Sequence, residues 1–252
     1  MRRIHLFEIE DQKWFPRFLR DYMTDFLQFL SNAAKIYKPV LNVLTEKLLA
    51  SRTHHIIDLA SGGGGGLLWL NAELREKVPD LKITLTDYFP NVRAFQNTKN
   101  QAGNIDFIAE SVDARNVPAR LSGFRTQFLS FHHFRPDDAK RILQNAINSK
   151  NPIAVVEAQD RSLPSVLAMV FSPLSVILTT PFIRPFRIGR LFFTYVLPII
   201  PLCVLWDGLI SCFRTYTVRE MKELVEQLEN KEEFEWSIGK EKNVLYLIGL
   251  PR

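Results

Sequence analysis

Short apolar runs alternate with longer amphipathic stretches along much of the chain. The runs are rich in β-branched residues, as is typical of buried parallel strands, and the stretches between them carry apolar residues at helical spacing. This alternation predicts an α/β fold with a parallel sheet. In chain order, the predicted strands cover residues 54–58, 82–87, 105–109, 127–134 and 153–158, and the predicted helices cover 67–78, 91–102 and 135–150.

The last part of the chain predicts a helix followed by a β-hairpin. Thr217 and Glu220 have the spacing of a capping box, which begins an amphipathic helix through Leu228. Two strand-like runs, 234–238 and 244–249, flank a polar turn at 239–243. A hairpin of this kind would add antiparallel strands to the sheet.

The N-terminal region predicts two helices. A broad aromatic face recurs at helical spacing in the first, and a second helix covers roughly 37–49. An aromatic stripe of this kind is more often core packing than the wall of a ligand site, and both interpretations stay open. The apolar face of the first helix consists of Trp14, Phe15, Phe18, Leu19, Tyr22, Met23, Phe26, Phe29 and Leu30.

A long apolar segment lies between the fifth strand and the capping-box helix. Residues 163–183 contain no charged residue, and a second uncharged run covers 191–206. The first run is long enough for a membrane span, but prolines interrupt both runs. Because an insertion at this point projects from the sheet edge where ligands bind, we expect a helical cap over a ligand pocket, with extra core on one sheet face as the alternative. Arginines at its outer bend would suit lipid headgroups or an acidic substrate group: Arg184, Arg187 and Arg190.

A run of five glycines, Gly62 to Gly66, follows the first strand and precedes a helix. Glycines let the backbone approach a ligand closely, and a helix N-terminus supplies free N–H groups. The dinucleotide pattern G-x-G-x-x-G is satisfied at Gly62 and Gly64, but Leu67 stands at its third glycine. This departure argues against NAD or FAD.

The same segment also matches the pattern acid-x-(Gly/Ala)-x-Gly-x-Gly, through Asp58, Ala60, Gly62 and Gly64. It thereby resembles the first motif of the class I S-adenosylmethionine-dependent methyltransferases. Asp87 ends the second strand about twenty residues beyond the loop, where an acid meets a ribose. The resemblance implies S-adenosylmethionine as cofactor and an adenine contact at Asp113. The predicted cofactor-binding residues are Asp58, Ala60, Ser61, Gly62, Gly64, Asp87, Tyr88, Asp113 and Ala114.

The fold implied is a Rossmann-like, seven-stranded, mostly parallel sheet with a C-terminal antiparallel hairpin, helices on both faces and a helical cap. Four segments are predicted. Residues 1–50 form an N-terminal helical cap segment, 51–162 the cofactor-binding core, 163–213 the apolar helical insertion, and 214–252 the helix and hairpin that complete the core.

The acceptor side of the site is predicted at the ends of the fourth and fifth strands. His132 and His133 fall where a base would be useful, and Glu157 lies near the end of the next strand. These three are the candidate catalytic residues. The alternative for the histidines is that one packs in the core and the other caps the strand.

Composition narrows the class of protein. The chain has 252 residues, which is enough for one core with an insertion. Its net charge is +5, but it has no basic run interleaved with aromatic residues. Nucleic acid is therefore a disfavoured partner. Cys203 and Cys212 form no disulfide framework, no metal-ligand spacing is present, and no secretory signal is recognisable. A cytoplasmic location is expected, with contact to the inner face of a membrane left open.

The sequence thus predicts a methyltransferase that acts by direct in-line transfer on a hydrophobic small-molecule or lipid-like acceptor. Three alternatives stay open, namely a membrane-associated scaffold without turnover, an NAD-dependent enzyme and an RNA methyltransferase. The oligomeric state is left open.

Overall fold

A computed structural model describes residues 2–252. It contains one seven-stranded sheet in the order β3-β2-β1-β4-β5-β7-β6. The first five strands are parallel, and β7 pairs antiparallel with both β5 and β6. The predicted fold class is confirmed. The strands are β1 (His55–Asp58), β2 (Lys82–Leu85), β3 (Ile105–Phe107), β4 (Phe124–Phe128), β5 (Ile153–Glu157), β6 (Phe234–Glu241) and β7 (Val244–Pro251).

Helices cover both faces of the sheet. Because successive strand residues point to opposite faces, Val155 packs into one cluster with α5 and α10, while Val156 packs into a second cluster with α2, α3 and α4. The helices are α1 (Arg17–Ala33), α2 (Leu41–Ala50), α3 (Leu67–Arg75), α4 (Val92–Gln101), α5 (Pro136–Asn148), α6 (Leu163–Val170), α7 (Ser172–Thr179), α8 (Ile188–Leu191), α9 (Ile199–Arg214) and α10 (Val218–Glu226).

The predicted fourth strand was placed too far along the chain. It was expected at 127–134, but β4 covers Phe124–Phe128 and residues 131–133 form a short 3-10 turn. All five residues of β4 are buried, but three consecutive ones, at 125–127, are polar. A search for apolar runs therefore does not detect this strand. One of the polar residues, Arg125, donates to Asn145 Oδ1 at 2.8 Å, and burial lowers its pKa to about 10.

The closing hairpin is longer than predicted. The expected turn at 239–243 is wrong, because Gly239 and Lys240 still pair with Tyr246 and Leu245. The turn therefore contains only the residues between Glu241 and Val244. The capping box at the start of α10 is present, with Thr217 and Glu220 exchanging side-chain to backbone hydrogen bonds.

Helices α6 to α9 form a layer outside the sheet that packs against α1. Leu19, Met23 and Phe26 of α1 form a third buried cluster with Val176 of α7 and Ile200 of α9. The aromatic stripe therefore packs against this layer. Its exposed member Phe18 still contacts Phe193 with ring centroids 5.4 Å apart, and Trp14 is exposed just before the helix begins.

The arginines expected at the outer bend of the apolar segment do not all face outward. Arg190 is fully buried, and its Nη1 donates to Asp25 Oδ2 at 2.7 Å. Arg187 also turns toward Asp25, with an N–O distance of 3.4 Å, and only Arg184 is exposed. The expectation of three outward arginines is wrong because α1 places a carboxylate beneath the bend, where it attracts two of them.

Among residues 2–252, no single helix is long and apolar enough to cross a membrane. Two bent helix pairs meet the length and composition requirement when their members are taken together. The first, 163–182, bends by 43°, and the second, 188–214, bends by 77°.

Candidate active site

The glycine loop connects β1 to α3 at the carboxyl edge of the sheet, and Asp87 holds it in place. The carboxylate of Asp87 accepts from the backbone N–H of Gly62 at 2.8 Å and from that of Phe89 at 2.7 Å. Burial raises the pKa of Asp87, while these two N–H donors lower it. Each carboxylate oxygen has two lone pairs. The carboxylate can therefore still accept hydrogen bonds from a ligand.

Helix α1 covers the loop from above. The side chain of Asn32 donates to the carbonyl of Gly65 at 2.8 Å and accepts from the backbone N–H of Trp69 at 2.8 Å. A Cβ at Gly63 would lie 2.9 Å from the carbonyl oxygen of Thr24. The glycines are thus needed for the approach of a helix as well as for that of a ligand.

A cleft of about 390 Å³ opens between the loop, α1 and the ends of β2 and β4. Most of the predicted site residues line it together. These are Ala60, Ser61, Gly62, Asp87, Tyr88, Asp113, Ala114 and His133.

Four predicted site residues lie outside the cleft wall in the described chain, and two of them belong to the first motif. Asp58 is buried beneath the loop, where its Oδ1 accepts from Thr126 Oγ1 at 2.6 Å. Burial raises its pKa to about 7. Gly64 has φ +96° and faces Gln28 and Thr98 instead of the cleft. Its neighbours Gly63 and Gly65 line the cleft in its place.

The other two are His132 and Glu157, which lie behind the cleft wall. Nδ1 of His132 is 2.9 Å from Glu157 Oε2, and the backbone N–H of His132 donates to Glu157 Oε1 at 2.9 Å. Both side chains are buried. Their position makes this pair a support for the turn that carries His133, because neither side chain reaches the cleft.

His133 reaches the cleft within a cluster of acids from the N-terminal segment. Its Nδ1 is 2.9 Å from Asp11 Oδ1 and 3.4 Å from Glu8 Oε2, and its Nε2 is 3.7 Å from Glu10 Oε1. Burial alone would lower the pKa of His133, but the acids Glu8, Asp11 and Glu10 outweigh it and raise that pKa to about 10. The imidazole is therefore a cation at neutral pH, which does not suit a general base.

Arg214 connects this acid cluster to the histidine turn. Its Nη1 lies 2.9 Å from Asp11 Oδ2 and 3.0 Å from Glu8 Oε1, and its Nη2 donates to the carbonyl of His133 at 2.6 Å. Glu8, His132 and His133 also bring potential metal-ligand atoms within 4.8 Å of one another. The guanidinium of Arg214 already lies against the Glu8 carboxylate, so its positive charge opposes a cation there.

The charge on His133 can be tested by NMR of its ring protons. We expect its titration midpoint near pH 10. Asp11→Asn should lower that midpoint, because one stabilising carboxylate is removed. Asp80→Asn, which changes an exposed acid paired with His54, should leave it in place. A midpoint near the ordinary value of 6.5 would contradict the ion cluster.

The same cluster predicts a pH dependence of stability. The folded state raises the pKa of His133, so its protonated ring stabilises the fold. This contribution to the free energy of unfolding is complete below about pH 6.5 and is lost as the pH rises through about 10. Urea unfolding of His133→Gln should therefore differ from that of the unchanged chain most at neutral and acidic pH.

On the adenine side of the predicted site, Asp113 is bound by Arg115. Arg115 Nη2 lies 2.7 Å from Asp113 Oδ2, and hydrogen bonds from Arg115 lower the pKa of Asp113. Arg115 Nη1 also lies 3.4 Å from Asp138 Oδ1. The carboxylate at this position is therefore ionised and oriented.

Sequence reasoning missed several cleft residues. Ser130 lines the cleft with a buried hydroxyl that has no hydrogen-bond partner among the described residues. The acids of the N-terminal segment carried no recognisable motif, and helical spacing alone could not assign the polar face of α1 to a ligand. The missed cleft residues with polar side chains are Glu10, Asp11, Arg20, Asp21, Thr24, Gln28, Ser31, Tyr37, Asn91, Arg115, Ser130 and Asp138.

The sheet order, the glycine loop and the acid at the end of β2 together define the Rossmann-like fold of the S-adenosylmethionine-dependent methyltransferases. Comparison with solved structures supports this assignment of the fold. The chain resembles the plantazolicin methyltransferase BpumL, solved in complex with SAH, with 12% identity, a TM-score of 0.57, and coverage of 93% of this chain and 96% of that one.

Two longer proteins share the fold. An O-methyltransferase family protein from Burkholderia thailandensis is 15% identical over 89% of this chain and 59% of its own, with a TM-score of 0.50. Human N-acetylserotonin methyltransferase, solved with SAM, is 14% identical over 90% of this chain and 55% of its own, with a TM-score of 0.51. The chain thus spans little more than half of these two. No protein-family model matches the sequence, and no curated protein matches it.

Proposed function

We propose that the protein is an S-adenosylmethionine-dependent methyltransferase. The observation that carries this proposal is the convergence of the glycine loop, Asp87 and the Asp113–Ala114 segment on one cleft. They come from three separate stretches of sequence. The loop was expected from the first motif, Asp87 from its position at the end of the second strand, and Asp113 and Ala114 from the family resemblance. Ligands of open α/β sheets bind at this carboxyl edge.

The residues around the loop suit this cofactor. The remaining lone pairs of Asp87 would accept from the ribose hydroxyls, and the backbone at Ser61, Gly62 and Gly63 would lie against the amino-acid part. Asp113 would accept from the adenine amine. Bound there, the cofactor supplies an electrophilic methyl group on a positively charged sulfur. Six acidic residues line the cleft, against two arginines and the cationic His133, and this excess of acids favours a cationic ligand.

On the acceptor side, Glu10 is a better candidate for the general base than either histidine. This carboxyl group lines the cleft, and burial raises its pKa to about 8, so it would become an effective general base as the pH rises through that value. His133 would keep a positive charge beside it and orient it. For a hydroxyl acceptor, Glu10 would take the proton while the acceptor oxygen attacks the methyl group in line with the departing sulfur.

The acceptor is proposed to be a hydrophobic small molecule. Leu27, Tyr88 and Phe89 line the cleft and remain exposed, so an apolar ligand would cover them. A nucleic acid does not suit a cleft with six carboxylates, because its phosphates would be repelled. The expected apolar walls from residues 163–206 are not present, because the described lining residues all precede residue 139.

Calorimetric titration with S-adenosylhomocysteine tests the proposed function, with NAD as the control ligand. We expect binding of the first and not of the second. The position of the third dinucleotide glycine is occupied by Leu67, whose side chain is buried in the core between α3 and the sheet. Binding of NAD alone would establish the dinucleotide alternative, and binding of neither would favour a scaffold without turnover.

A further inference from the structure

The layer formed by α6 to α9 exposes an unusual amount of apolar surface. Sixteen of the twenty-six exposed large apolar residues lie within 163–206, which is less than a fifth of the chain. Helix α6 consists almost wholly of apolar residues and yet has no buried residue. A concentration of exposed apolar residues is uncommon on soluble proteins and marks a surface that another phase or molecule covers.

The inner side of this layer is already used. Val176, Ile183 and Ile200 pack against α1, so the layer is apolar on both sides. Helices that are hydrophobic all round occur in a core or in a membrane. Since the other side of these helices faces outward, packing inside the protein accounts only for the hydrophobicity of their inner side.

Charge distinguishes between the possible occupants of the outer side. No acidic residue occurs between Asp160 and Asp207, so the charged residues of the layer before Asp207 are all arginines. Arg184 is exposed at the bend between the two helix pairs. Anionic lipid headgroups attract a basic residue beside an apolar surface.

Aromatic residues extend the surface to the N-terminal segment. Trp206 contacts Phe7 with ring centroids 5.6 Å apart and donates its Nε1 hydrogen to the Phe7 carbonyl. Trp14 is also exposed. Tryptophan with an apolar body and a polar edge is favoured at a membrane–water interface.

We propose that the outer face of α6 to α9 inserts into one leaflet of an anionic lipid bilayer and holds the protein on the membrane surface. The two helix pairs are each broken by a bend, of 43° and 77°, and their inner side packs against α1, so only the outer face of the layer would insert. Helix α1 lies between this layer and the cleft. Its Leu19 and Met23 pack against the layer, while its Thr24 and Gln28 line the cleft. The cleft therefore lies one helix away from the membrane-facing layer, a position suited to a lipid-like ligand.

Flotation of the full chain with phosphatidylcholine vesicles, with and without phosphatidylglycerol, tests this proposal. We expect the unchanged chain to float with the anionic vesicles. The double variant Phe171→Ser/Leu178→Ser should lose at least about tenfold in partitioning, because two inserted side chains are removed. The matched control Leu49→Ser/Val92→Ser, which changes exposed apolar residues on α2 and α4, should partition like the unchanged chain. Thermal unfolding confirms that each variant is folded.

A second variant separates charge from apolar insertion. Arg184→Glu should weaken binding to anionic vesicles by about tenfold and leave the weaker binding to neutral vesicles unchanged. The proposal is overturned if the unchanged chain floats with neither vesicle, or if the double variant floats as well as its control. It is also overturned if the unchanged chain forms an oligomer that the double variant abolishes, since a second copy would then cover this face. None of these outcomes depends on methyl transfer.

Discussion

Replacing Asp87 with alanine is expected to weaken S-adenosylhomocysteine binding by about a hundredfold, because the variant loses two charge-assisted hydrogen bonds to the ribose. The carboxylate also holds the backbone N–H groups of Gly62 and Phe89, so its loss loosens the loop that faces the ligand. Calorimetric titration of the variant beside the unchanged chain measures the effect.

Two further variants make the Asp87 result specific. Asp106→Ala removes an acid from β3, the neighbouring strand, where it is exposed and paired with Lys99, and it should leave the affinity unchanged. Asp87→Asn keeps the size of the side chain and removes the charge. Its affinity for S-adenosylhomocysteine should fall between those of Asp87→Ala and the unchanged chain. Equal affinity of Asp87→Ala and the unchanged chain would show that the ribose does not bind at the end of β2.

Replacing Asp25 with alanine is expected to lower the free energy of unfolding by about 3–5 kcal/mol, as is typical when one partner of a buried ion pair is removed. The guanidinium of Arg190 would then remain buried without its carboxylate. It would keep only the carbonyl oxygens of Ile183 and Pro185, to which its Nη2 donates at 2.7 and 2.8 Å. Urea unfolding measures the loss.

The control for Asp25 is a surface ion pair. Glu223→Ala removes the partner of Arg219 on α10, where both side chains are more than half exposed, and should cost less than about 1 kcal/mol. The double variant Asp25→Ala/Arg190→Met should recover most of the lost stability, because the fully buried guanidinium of Arg190 is then no longer left without a carboxylate. If Asp25→Ala were as stable as Glu223→Ala, the ion pair between Asp25 and Arg190 would not stabilise the fold.

Predictability from sequence differed between the two halves of the candidate site. The glycine loop and Asp87 follow a strand–loop–helix pattern that is local in sequence, and the structure places them together. The acceptor side was less predictable. His132 and His133 are adjacent in a 3-10 turn, and their side chains point in different directions. His132 is buried against Glu157, whereas His133 reaches the cleft.

Strand positions show the same limit. Strands β1, β2 and β5 were predicted from the sequence because they are rich in apolar and β-branched residues, which indicate buried strands. Strand β4 was misplaced because its centre contains Arg125, Thr126 and Gln127, which only burial inside a parallel sheet reveals as strand residues. Neighbouring side chains satisfy two of these buried polar groups, with Asn145 accepting from Arg125 and Asp58 accepting from Thr126.

The sequence by itself determined the order of strands and helices, the glycine loop and the acid that faces it. These features depend on periodicity and backbone freedom, which act between residues close in the chain. Only the tertiary structure decided the charge of His133, the inward turn of Arg190 and the exposure of α6. Each depends on residues distant in sequence, such as Asp11 beside His133 and Asp25 beside Arg190. Electrostatic energy and burial are set by distances in space, and those distances exist only once the chain has folded.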